Sequence, residues 1–154
     1  MKVVVRVFIF GAITLVFLTG LVAVAEAQKP IRVGASLSKT GTYAELGQTV
    51  HRGQSLCLKH TNERGGVLGR PLDLLAEDDQ SQAETAVAIY NKLITREKVD
   101  AVFSPYSSPI TEAVSVVTEK HRMPMVACCA ATTSIFKKGK MFIFMLLSPA
   151  EVYL

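Results

Sequence analysis

Ser107 and Ser108 stand directly before Pro109, and this trio is the arrangement in the chain best suited to hold an anion. A proline at the start of a helix costs nothing, because the N–H it lacks has no intrahelical partner there. The predicted helix that follows presents free N–H groups and a partial positive charge at its N-terminus, so a small carboxylate can be held there without an arginine. Capping the helix is the plain role for Ser108, which leaves Ser107 without a structural duty. Farther along, Ala130, Ala131, Thr132 and Thr133 offer main-chain groups and two hydroxyls on a loop of little bulk. The backbone of a ligand can lie against such a loop, although an ordinary surface loop has the same composition.

Other chemistry fails on spacing. Asp78-Asp79 has no third carboxylate or lysine at a matching strand end, so it reads as a turn feeding the next helix rather than a metal or phosphoacceptor site. Gly65-Gly66-Val67-Leu68-Gly69 mimics a phosphate loop, but it follows a helix and precedes a strand, the reverse of the phosphate-binding order. These glycines are a helix end and a turn. His51, His60 and His121 fall on predicted helices without a partner at metal-site spacing, and no nucleophile has a base within motif spacing. No enzyme, metal or cofactor is expected. Cys57, Cys128 and Cys129 are odd in number, which excludes a disulfide framework, and buried thiols packing as small hydrophobes is the favoured reading over a strained vicinal bridge.

The elements that must position these residues follow from periodicity. Ile31–Ser36 reads as a strand, and a stripe at Leu46, Val50, Gly53, Cys57 and His60 predicts a helix ending at Gly65-Gly66. Leu72–Glu77 is the second strand; Ser81 with Glu84 forms a capping box for a helix whose apolar face is Ala83, Ala86, Val87, Tyr90, Leu93 and Ile94. Val99–Ser104 is the third strand, and the helix after it buries Ile110, Ala113, Val114 and Val117. Met125–Cys128 and Met141–Leu147 are the fourth and fifth strands, with Cys129–Ser134 a loop containing a short turn of helix. Alternating strand and helix with short connections implies right-handed crossovers, hence an α/β, doubly wound parallel sheet of flavodoxin-like or Rossmann-like type. Its ligands bind beyond the carboxyl ends of the strands, where the four loops 37–42, 78–81, 105–108 and 129–134 gather.

The composition is 49% hydrophobic and 19% charged, and 154 residues support one domain or part of one. Disorder and a multi-span membrane protein are excluded. A small, scattered excess of Lys and Arg (17) over Asp and Glu (13) argues against nucleic acid as a partner. The apolar residues are concentrated at the start: Lys2 and Arg6 precede Val7–Ala25, in which 15 of 19 residues are apolar, and the run ends in Ala25-Glu26-Ala27. This is the layout of a secretory signal peptide spanning 1–27, with cleavage expected after Ala27 and no stable membrane insertion thereafter. The remainder, 28–154, is expected in an oxidising compartment, the periplasm.

Five stretches together resemble a known family: Ile31 to Gly41, the Gly65 to Leu72 turn, Glu77-Asp-Asp-Gln-Ser81, Ser104-Pro-Tyr-Ser-Ser108, and Phe142 to Ala150. They are similar to the type I periplasmic solute-binding proteins, and most closely to the branched-chain amino acid (leucine-binding protein-like) receptors of ABC transporters. The resemblance implies two α/β lobes that close on a small amino acid or related carboxylate and deliver it to an ABC permease. It also implies that 28–154 is the N-terminal ligand-binding lobe only, since members are more than twice as long. Carried over by position, Ser107 matches the hydroxyl that binds the carboxylate, and Ala130 and Thr132 match main-chain and hydroxyl contacts after the fourth strand. Tyr43 and Leu46 fall where the first loop approaches the ligand. The loop at Cys128-Cys129-Ala130-Ala131 departs from the family in lacking Gly and Pro, and Lys137-Lys138-Gly139-Lys140 is unusually basic. The same fold also serves in receptors, so an extracellular ligand-sensing module is the alternative reading.

Overall fold

The structure, a computed structural model, describes residues 28–137 and 139–153. The predicted signal peptide and its cleavage site lie outside these residues. Strands β1 (Ile31–Leu37), β2 (Leu72–Asp78), β3 (Ala101–Phe103), β4 (Met125–Ala127) and β5 (Ile143–Met145) alternate with helices α1 (Ala44–Glu63), α2 (Ala83–Thr95) and α3 (Ser108–Lys120). Single 3-10 turns occupy Thr133–Ile135 and Ala150–Val152. All strand pairs are parallel and the order is β2-β1-β3-β4-β5, the α/β doubly wound arrangement expected from the sequence.

The last three strands are shorter than the apolar runs that announced them. Val99 is buried although its N–H goes to the Leu93 carbonyl of the turn after α2, and Ser104 and Pro105 stay buried past the end of β3. Around β3 burial outlasts the ladder at both ends, whereas around β5 the run extends into Met141, Leu146 and Leu147, which are exposed.

The two faces of the sheet are covered differently. Pairing places Gly34, Val102, Met125 and Ile143 on one face and Val33, Ala101, Phe103, Val126 and Phe144 on the other, because side chains alternate along each strand. On the first face, Ala86, Ile89, Tyr90, Leu93 and Ile94 of α2 and Ile110, Val114 and Val117 of α3 pack with Val102, Met125, Ala127 and Ile143 in one core. The predicted α2 stripe is confirmed, with Ala83 and Val87 partly buried at its edge.

On the second face the predicted stripe of α1 is displaced by one residue. Its buried positions are Gly47, Gln54 and Leu58, whereas Leu46, Gly53, Cys57 and His60 face solvent. Gly47 sets this rotation, since a Cβ there would lie 2.1 Å from the Ser38 carbonyl oxygen, an approach only glycine permits. The expectation that Cys57 is buried fails for the same reason. The end of α1 is as expected: the N–H groups of Gly65 and Gly66 return to the carbonyls of Asn62 and Thr61. His121 lies one residue past α3, as its C-cap.

Candidate functional site

Strand β1 sends the chain to β2 on one side and has β3 on the other, so the loops after β1 and β3 part at the point where the winding reverses. The first of these loops is fastened by the Asp78-Asp79 pair. Asp79 is fully buried and accepts hydrogen bonds from Ser36 Oγ (2.8 Å), Ser38 Oγ (2.7 Å) and the Ser81 N–H (2.9 Å). Asp78 accepts from the N–H groups of Lys39, Thr40 and Gln80 and from the Thr40 hydroxyl. Burial pushes the Asp78 carboxyl up, but these donors outweigh it and hold the group below the usual carboxylate range. The pair is therefore more than a turn: it buckles loop 38–43 to the end of β2. The expected capping box is absent. Gln82 is the N-cap of α2, and Ser81 sits at φ +61° with its hydroxyl donating to the Thr40 carbonyl and accepting from the Tyr43 N–H.

Held in this way, Tyr43 meets Tyr106 across the switch point, ring centroids 5.4 Å apart and tilted by 59°. Immediately after Tyr106, Ser107 is the N-cap of α3 at φ +80°, ψ +146°. Side chains rarely adopt such a backbone, and its cost is of order 1 to 3 kcal/mol. The strain secures no internal hydrogen bond for the side chain. Ser107 Oγ is shielded from solvent and unpartnered, one of two such side-chain atoms among the described residues, while its carbonyl accepts from the Thr111 N–H (3.1 Å). An unsatisfied buried hydroxyl costs about 1 to 3 kcal/mol, and this one lies beside the first turn of a helix whose N–H groups lack intrahelical acceptors.

Ser108 does not cap α3; it is the first helical residue and Pro109 the second. Its Oγ instead accepts from the N–H groups of Ala131 (3.2 Å) and Thr132 (3.3 Å), tying the loop after β4 to the start of α3. The competing donors came from a distant loop, which is why local spacing suggested a cap. The Ala131 carbonyl is also occupied, by the Ala150 N–H (3.0 Å). Ala130 is buried in the core with Ile110, Val114 and Ile135. The structure thus brings Ser107, Ser108, Ala131 and Thr132 together and joins Tyr43 to them through Tyr106, while Leu46 stands on the first turn of α1, 48% exposed.

The sequence reading omits Tyr106 and gives Asp79 too small a role. Tyr106 lay inside the Ser104–Ser108 stretch as an aromatic among small polar residues, and Asp79 was signalled by Ser36 and Ser38, two residues apart at the end of the paired strand. Among the described residues no group of three or more His, Cys, Asp and Glu could hold a metal, and no helix is long and apolar enough to cross a membrane.

This edge, with its parallel five-stranded sheet, has counterparts in known proteins. Residues 30–151 match the sequence model described as periplasmic binding protein. The chain belongs to the periplasmic binding protein family. The family is one of solute-binding proteins. A curated relative, the Leu/Ile/Val-binding protein homolog 7 of Brucella melitensis, is 29% identical over 119 residues, 77% of this chain and 30% of that protein. Among solved structures, the branched-chain amino acid transporter substrate-binding protein LivJ of Streptococcus pneumoniae, in complex with isoleucine, superposes with a TM-score of 0.75 at 26% identity. The match covers 79% of this chain and 34% of that one. A fatty acid ABC transporter substrate-binding protein from Thermomonospora curvata gives 0.68 at 30% identity, over 79% of this chain and 30% of the other. The chain therefore spans about a third of the length of these three proteins.

Proposed function

We propose that residues 28–154 form the first ligand-binding lobe of a substrate-binding protein that presents a small amino acid or related carboxylate to an ABC permease. The protein works in the periplasm after cleavage behind Ala27; an exported product beginning at Gln28 supports this placement and an intact Met1 on a membrane-bound product contradicts it. The single observation that carries the ligand class is Ser107 Oγ, buried, unpartnered and held at a costly backbone angle beside a helix N-terminus. A carboxylate oxygen completes that hydroxyl and takes the field of the helix end. The Leu/Ile/Val-binding and fatty acid transport relatives are named for ligands that share a carboxylate and differ in the rest, which supports the carboxylate as the common grip. Ser108 is a positioning residue here, fixing the Ala131-Thr132 backbone that the ligand's other end meets, and Tyr43 with Tyr106 forms the wall.

The test is a nuclear magnetic resonance titration of the labelled chain with isoleucine and, separately, with isoleucine amide. A single lobe leaves much of a ligand in water, so the affinity expected is about millimolar. Isoleucine should shift the amide signals of Ser107, Ser108 and Ile110, and the amide analogue should not. Equal shifts from both compounds, or none from either at these residues, contradict the proposal.

A further inference from the structure

Cys128 and Cys129 follow β4 directly, and no part of the carboxylate site uses them. Their Sγ atoms are in hydrogen-bond contact at 3.2 Å. Two more groups converge on Cys128 Sγ: the Gln54 Nε2 amide of α1 at 3.7 Å and the Ser104 hydroxyl after β3 at 4.0 Å. An amide N–H can only donate, and a thiol or hydroxyl is able to, so Cys128 Sγ faces one fixed donor and two groups that can donate to it, surroundings that favour a thiolate. Gln54 adds an independent sign. It is only 8% exposed, and its Oε1 is shielded without a partner, so what its buried amide does at this site is donate to sulfur. Donation from Cys129 is the largest influence and, with Gln54 and Ser104 and against the opposing effect of burial, brings the Cys128 thiol below its ordinary range. The same hydrogen bond, together with burial, pushes Cys129 up. One sulfur is thus prepared to attack and its neighbour keeps its proton. Both residues are partly exposed. Among the described residues no third ligand stands ready to make a metal site of them.

We propose that Cys128 and Cys129 form a dithiol modification site that reacts with small disulfides, Cys128 as the attacking sulfur and Cys129 as the resolving one. In the first step Cys128 thiolate bonds to one sulfur of the disulfide, the disulfide bond breaks, and the departing thiolate takes a proton from solvent. Cys129 then loses its proton and attacks Cys128 Sγ, expelling the second small thiol and closing a Cys128–Cys129 bond. The protein loses two electrons and two protons, and the small disulfide takes them up to become two thiols. Adjacent Cα atoms lie about 3.8 Å apart, whereas disulfides ordinarily span roughly 4.4 to 6.8 Å. The closed pair is therefore easily reduced again, and the modification is reversible.

Oxidised glutathione is the probe, applied at pH 7 to the reduced chain and followed by mass spectrometry of the tryptic peptide Met123–Lys137, which holds both cysteines. The peptide should become lighter by two hydrogens and regain them with a reductant. Cys129→Ser should instead accumulate a glutathione adduct on Cys128, and Cys128→Ser should leave Cys129 at least tenfold slower to react. Brief alkylation of the unsubstituted chain provides the measurement that needs no variant: Cys128 should be labelled at least tenfold faster than the more exposed Cys57. Equal labelling of Cys128 and Cys57, or glutathione adducts on Cys57 while 123–137 stays a dithiol, overturns the proposal.

Discussion

The two faces of the sheet are covered by helices that bury different kinds of residue. Under α2 and α3 the contact is mainly apolar, with Tyr90, Leu93, Ile110 and Val114 set against Val102, Met125 and Ile143, and the buried hydroxyls of Thr111 and Thr118 on α3 donate to the Pro105 and Ser115 carbonyls. Under α1 the helix meets the sheet through Gly47, Gln54 and Leu58, while Leu56 on its outer side is 52% exposed. Beyond the reach of α1, the same face continues as half-buried Phe103 and Val126 and ends at Phe144, 55% exposed. Hydrophobic periodicity locates a buried face where apolar side chains make the contact; where a glycine admits the backbone and a glutamine reaches a sulfur, it points to the neighbouring face. On the α1 side Gln54 reaches the Cys128 sulfur, whereas Ser107 is the N-cap of α3, which covers the other face.

Stability measurements sharpen this contrast. Leu93→Ala on α2 removes a fully buried side chain that also packs against Gly34, and the expected loss in urea denaturation is about 3 kcal/mol. Gly47→Ala should cost about 2 kcal/mol, because its Cβ meets the Ser38 backbone rather than a yielding side chain; a neutral result would break the account of why α1 is rotated. Leu56→Ala, on the exposed side of α1, should change stability by less than about 0.5 kcal/mol. A loss equal to that of Leu93→Ala would show that this side of α1 is covered and contradict the orientation described for the helix.

The smallest effect lies at the edge itself. The Asp78 carboxyl titrates lower in the fold than its ordinary value of 3.8. Its contribution is therefore complete above that value and disappears as the pH falls through the lower folded one. Asp78→Asn should flatten the acid limb of the stability curve and leave stability at pH 7 less dependent on acidification; an unchanged limb would show that the loop buckle is carried by Asp79.

What was legible in the sequence follows the same division. All five strands, α2 and α3 were visible because each obeys its own local period. The Ser81 capping box and the Ser108 cap were misread because both hydroxyls are taken by backbone groups from other loops, Thr40 and Tyr43 for one, Ala131 and Thr132 for the other. Spacing within a segment carries no record of such partners. Asp79 reads as a turn residue for the same reason, since its acceptor duty depends on Ser36 and Ser38 at the end of the paired strand. Ser107, not Ser108, is the N-cap of α3 and its hydroxyl has no partner in the fold, and its left-handed backbone is not foreseeable from residue type.

That backbone supplies the most direct measurement of the central claim, that Ser107 is held in a strained position to grip a carboxylate. Ser107→Gly enters the same conformation without strain, so the substituted chain should be more stable by about 1 kcal/mol. It should also bind isoleucine about ten- to a hundredfold more weakly, since a hydrogen bond to a charged carboxylate is worth about 1.5 to 3 kcal/mol. Measured together by titration and urea denaturation on one sample, a gain in stability with a loss of binding is the predicted result. Unchanged affinity for isoleucine in the Ser107→Gly chain would contradict it.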